Sequence, residues 1–151
     1  MTVTPVTPVT LAGLSRQTGL AVLDHLEQSM QIPVIDGLQA QGDLIVVPHS
    51  FVADSVMTWH EARWQWVPPE GVELLRGAAG GNPHALVAEP RTCRWTTQVS
   101  DASGLTIGMF TATEPVYLLH PEHGGSGCAP GTYVVRRQRE QDGRRARLVA
   151  D

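Results

Sequence analysis

Three histidines and a carboxylate are the strongest chemical constellation in this chain: His84, His120, Glu122 and His123. Each histidine falls at the end of a predicted strand, the position from which a β scaffold presents ligands. Three imidazoles beside a carboxylate suit zinc, iron, nickel or copper. A metal held that way could polarise a substrate or activate water. One expectation is therefore a divalent transition metal on His84, His120 and His123, with Glu122 as a further ligand or general base. The run His120-Pro121-Glu122-His123 is a turn, because Pro121 excludes the helical i, i+3 geometry. A histidine in a turn is more often simply a turn residue. On that competing reading no cofactor is bound and no residue is catalytic.

Other chemistry is poorly supported. Cys93 and Cys128 form no Cys-x-x-Cys motif, and they read as two ordinary thiols of a cytosolic protein, with a pairing between them left open. No Gly-x-Ser-x-Gly elbow occurs. The glycine-rich run at 77–83 lacks the lysine and hydroxyl of a phosphate-binding loop. The formal net charge is -4, which argues against nucleic acid as a partner. All 11 basic residues are arginine. The late group of Arg136, Arg137, Arg139, Arg144, Arg145 and Arg147 reads as a solvated strand edge and a charged tail. No apolar run approaches the roughly 20 residues of a spanning helix, and the start has no basic region leading into an apolar one. The expectation is a cytoplasmic protein without a membrane span.

The elements that must position the histidines follow from pattern. A chain of 151 residues, 42% hydrophobic, is enough for one domain with a real core. Residues 1–14 begin with alternating Thr, Val and Pro and predict an extended arm. Leu20, Leu23 and Leu26 recur at helical spacing and predict a helix over 15–31, capped by Ser15 or Thr18 and ended before Pro33. Residues 32–141 predict a β domain. Its strands are read at 44–48, 64–66, 72–75, 84–88, 92–99 and 105–111, with Asp101 to Gly104 as a turn. Strands at 116–119 and 132–137 are read as a hairpin joined by a glycine-rich connection. Residues 142–151 read as a polar tail. The fold class expected is mainly β: a small sandwich or partly open barrel with one N-terminal helix and an extended N-terminal arm. Trp59, Trp64 and Trp66 crowd into eight residues. They predict a core or subunit contact ahead of a ligand platform.

At its C-terminal end the sequence resembles a family of short uncharacterised bacterial proteins. Those chains start with Gly-Asp-Val or Gly-Asp-Leu, carry Gly-His-x-His midway, and end with His-x-Glu-His and Pro-Gly-x-Tyr-x-Val-x-Arg-Gln-Arg-Glu. The counterparts here are Gly42-Asp43-Leu44, then His120-Pro121-Glu122-His123, then Pro130-Gly131-Thr132-Tyr133 running on through Arg137-Gln138-Arg139-Glu140. The midway segment departs from the pattern: His84 is present, and Leu86 stands where a second histidine belongs. The first 40 residues and the tryptophan-rich stretch read as additions. The resemblance implies a shared β core.

Two functions follow as expectations. The first is a non-catalytic β module that binds other protein subunits, as a homo- or hetero-oligomer. The alternative is a cupin-like metal-binding protein or small-molecule metalloenzyme using the strand-end histidines.

Overall fold

Local chemistry fixes where the N-terminal helix begins and ends. The Thr10 hydroxyl accepts the Gly13 N–H at 3.1 Å and opens helix α1, Leu11–Thr18. Gly19 closes it with φ 75°, and its N–H is bonded to the Ser15 carbonyl at 2.8 Å. The helix therefore starts earlier and ends sooner than the leucine spacing suggests. Leu20 and Val22 lie beyond its end, packed beside Leu11 and Leu14. The computed structural model describes residues 9–22, 29, 31–75, 83–142 and 145–148. The expected helical residues 23–28 and the first eight residues of the arm lie outside that set.

Two sheets face each other. The first contains β1 (Val34–Ile35), β12 (Gly124–Cys128), β11 (Val116–His120), β7 (His84–Val87) and β6 (Val72–Leu75), in that spatial order. The second contains β2 (Gln39–Gln41), β3 (Leu44–Pro48), β13 (Gly131–Arg137), β10 (Thr106–Ala112), β8 (Cys93–Thr96) and β5 (Gln65–Trp66). Between them lies a core that includes Leu44, Val46, Leu86, Phe110, Leu118, Tyr133 and Val135. Its residues alternate along their strands, as a packed sandwich requires. The outer face of the first sheet is buried under α1, where Leu11 and Leu14 meet Ala85, Val87, Tyr117 and Leu119. The outer face of the second is covered by β4 (Val56–Thr58) paired with β9 (Val99–Asp101). A four-residue helix, α2, spans His49–Val52. The fold is mainly β, as expected, with no closed barrel among the described residues.

The expected hairpin of residues 116–119 and 132–137 does not form. β11 pairs instead with β12, the glycine-rich stretch itself, and β13 belongs to the opposite sheet between β10 and β3. The glycines are there for close approach. A Cβ on Gly127 would stand 2.7 Å from the Pro33 carbonyl oxygen and 3.1 Å from the Val34 Cα. That backbone belongs to the segment carrying β1, which pairs with β12 in parallel. Gly127→Ala is therefore expected to lower stability by about 1–3 kcal/mol in chemical denaturation. Gly125→Ala meets mainly the flexible end of Ile32 and is expected to cost less. Beyond β13, β14 (Arg139–Asp142) pairs antiparallel with β15 (Arg145–Leu148).

The turn between β9 and β10 is held by one carboxylate. Asp101 accepts from the Ser103 hydroxyl (2.7 Å), the Gly104 N–H (3.0 Å), the Thr106 hydroxyl (2.7 Å) and the Arg136 guanidinium (2.6 Å). Burial pushes its carboxyl up. The bonds from Ser103 and Thr106, the Arg136 charge and the Gly104 N–H outweigh that and hold it below the usual range. A depressed folded pKa contributes stability above the unfolded value, near 3.9, and that stability is lost as pH falls through the folded one. Wild type is thus expected to lose stability below about pH 4 partly through this group. In Asp101→Asn the acid-side loss is expected to be shallower, as read from denaturation midpoints between pH 6 and pH 2.

Candidate histidine cluster

The pairing of β11 with β7 builds the centre of the site. Leu118 lies opposite Leu86 and Leu119 opposite Ala85. One step further, the same register sets His120 opposite His84. Both alternate inward with Leu118 and Leu86, so both imidazoles enter one end of the sandwich. His84 is 0% exposed and His120 2%. Their ring centroids are 4.4 Å apart. His123, on the turn between β11 and β12, is exposed, and its ring lies 4.5 Å from that of His120. The rings of His84 and His123 are 6.3 Å apart, so the three form a compact triangle with His120 at its corner.

The opposite sheet supplies the polar partners. Gln41, at the end of β2, presents Oε1 to His84 Nδ1 at 2.9 Å. The Gln41 amide nitrogen donates to the Leu118 carbonyl at 3.0 Å, the Gly124 carbonyl at 3.3 Å and the Ser126 hydroxyl at 3.3 Å. That orientation makes Oε1 the acceptor, so His84 Nδ1 carries a hydrogen. Asp43, in the turn before β3, places Oδ1 3.2 Å from His84 Nε2. Gln41 and Asp43 thus engage both ring nitrogens of His84. Asp43 is itself only 3% exposed, so the pair lies inside the protein. Gln39 extends the seam by donating to the Gly127 carbonyl at 2.8 Å.

His120 is oriented by its own turn. Its Nδ1 accepts from the Glu122 N–H at 3.1 Å and the His123 N–H at 3.2 Å. The nitrogen that caps the turn is therefore unprotonated, and the ring proton sits on Nε2. Glu122 takes part here through its backbone, and its side chain is exposed. The four residues singled out from the sequence are thus brought together, with different tasks. Among the described residues, no group of three or more His, Cys, Asp or Glu side chains is placed to hold a metal ion. Gln41 and Asp43 were missed as site residues. The available signal for Asp43 was its place in the Gly42-Asp43-Leu44 start of the resembled pattern. Leu86, which replaces that pattern's second histidine, lies in the core between the sheets.

Nucleophilic chemistry finds no footing nearby. Cys93 and Cys128 are free and buried. Burial, with a contribution from neighbouring Cys128, pushes the Cys93 thiol up to about 12. Burial also raises Cys128 to about 12, against the opposing bond from Gln39. Neither is a thiolate near neutral pH. Two surface depressions lie elsewhere. One of about 310 Å³ is lined by Asp36, His49 and Thr132 among others. One of about 230 Å³ is lined by Arg63, Gln65, Trp95 and Gln98 among others. No histidine of the cluster lines either.

The tryptophans separate into different roles. Trp64 is half-buried against Val56, Val99, Met109 and Val134. Trp59 and Trp66 are 57% and 55% exposed, so neither is core. No described helix is long and apolar enough to cross a membrane.

The family of a domain of unknown function (DUF8820) matches residues 40–138. The matched segment contains Gln41, Asp43, His84, His120 and His123, and it begins after α1. No curated protein matches the chain, and no solved structure matches it.

Proposed function

This chain belongs to that domain family, DUF8820, and we propose that it is a non-catalytic β module that binds protein subunits within an assembly. The observation that carries this reading is apolar surface. Val34, Ile35, Leu38, Phe51, Met57, Trp59 and Trp66 are large apolar residues left exposed, Met57 by 73%. Scattered apolar residues are ordinary on a monomer, but a tryptophan grouped with methionine marks a contact surface. Met57 and Trp59 share one side of an extended segment, because Trp59 continues the β4–β9 pairing through its N–H bond to the Gln98 carbonyl at 3.0 Å. The partner to which we commit is a second copy of the chain. The histidine cluster then acts as a polar clamp joining the two sheets. The two thiols support a cytoplasmic setting.

A second reading, a transition metal on His84, His120 and His123, is favoured by the convergence of their three rings. It requires His120 to release the backbone donors on Nδ1 or to lose its Nε2 proton, and it requires His84 to give up a bond to Gln41 or Asp43. Native mass and metal content, measured on one purified sample, separate the two readings.

A further inference from the structure

At the β5 edge of the second sheet, hydrogen-bond donors gather beside an aromatic residue. The depression of about 230 Å³ there is lined by Arg63, Gln65, Trp95, Thr96, Thr97 and Gln98. β5 pairs with β8 so that Gln65 lies opposite Trp95, and opposite residues of a ladder share one face. Trp95 packs partly against the core between the sheets. Thr97 and Gln98 connect β8 to β9. Gln98 is held by three bonds. Its N–H donates to the Thr96 hydroxyl at 3.0 Å, its carbonyl accepts the Trp59 N–H at 3.0 Å, and its Oε1 accepts the Arg63 N–H. With Oε1 engaged, the side chain of Gln98 has its two amide hydrogens left to give. Arg63 is exposed and is the charged member of the lining. Among the described residues, no carboxylate lines the depression or pairs with Arg63, although the chain carries a net charge of -4.

We propose that this depression is a binding site for a small aromatic carboxylate. The planar guanidinium fork of Arg63 matches a carboxylate with two parallel bonds. A single cation balances one carboxylate charge and falls short of the charge on a phosphate group. The amide groups of Gln65 and Gln98 and the Thr97 hydroxyl add donors around the same anion. Trp95 gives indole surface to a ring carried by the same molecule. The volume suits a single-ring molecule, being below that of a drug-sized pocket. Gln98 is already ordered by its three bonds, so less freedom is lost when a ligand binds. Arg94 provides the contrast. It precedes Trp95 on β8, so alternation puts it on the other face, where its guanidinium lies 5.6 Å from the Trp66 ring. It does not line the depression. The site stands whether or not the chain self-associates.

The test is heteronuclear NMR of the full chain titrated with benzoate, following the Trp95 indole N–H and the side-chain amides of Gln65 and Gln98. Saturable shifts of these groups are expected, with the Trp66 indole N–H unmoved. Acetate has the charge without the ring, and benzyl alcohol has the ring without the charge. Each is expected to bind at least about tenfold more weakly than benzoate. Arg63→Gln is expected to weaken benzoate at least about tenfold, and to leave the rest of the spectrum in place because the residue is exposed. Arg94→Gln removes the same charge from the other face and is expected to stay within about twofold of wild type. The absence of a saturable shift at millimolar benzoate would overturn the assignment. So would acetate or benzyl alcohol binding as tightly as benzoate, or equal losses in the two arginine variants.

Discussion

Replacing His84 with alanine is expected to destabilise the fold by about 2–5 kcal/mol, because a fully buried ring is removed and Gln41 and Asp43 each lose a hydrogen bond. The Asp43 carboxylate, 3% exposed, would keep no imidazole at Nε2 distance, and Gln41 Oε1 would lose its donor. Leucine at both His84 and Asp43 is expected to do less damage than leucine at either alone, since a fully apolar replacement leaves no buried polar group without its partner. The resulting double-mutant cycle reads the coupling between them directly. His123→Ala, at the exposed side of the cluster, is expected to change stability by less than about 1 kcal/mol. Denaturant midpoints give all of these numbers. If these residues served only a metal, His84→Ala and His123→Ala would both leave a stable fold.

The second large effect is on assembly. Met57→Glu combined with Trp59→Glu is expected to weaken self-association by at least about thirtyfold, because buried tryptophan anchors carry about 2 kcal/mol or more each at interfaces. Both side chains are exposed in the single chain, so the unfolding midpoint of the dissociated variant should barely move. Sedimentation velocity over a concentration series reads the first, and thermal unfolding the second. A variant that self-associates as wild type does would remove this surface from the account.

Strands with branched or aromatic runs were legible, because their side chains carry the signal. Leu44–Pro48 and Val116–His120 are examples. β12 was hidden because Gly-Gly-Ser-Gly reads as a turn. Its glycines are required by the packing of Ile32 and Pro33 from elsewhere in the chain. β2 was hidden because Gln-Ala-Gln has no apolar alternation. Its glutamines face the seam and satisfy carbonyls of the other sheet. The end of α1 was not legible, because the leucine period runs on past Gly19, the left-handed residue that closes the helix. In the site, the three histidines were legible as a group. Their partners were not: Gln41 and Asp43 lie more than 40 positions before His84, and only the stacking of the sheets brings them in.

The most direct test of the central claim is native mass spectrometry of the purified full chain, with metal analysis on the same sample. An oligomer of this chain without stoichiometric metal is the predicted result, and it would leave the histidines as the clamp between the sheets. A monomer carrying about one transition metal ion per chain would contradict the account, and His84, His120 and His123 would then be its ligands.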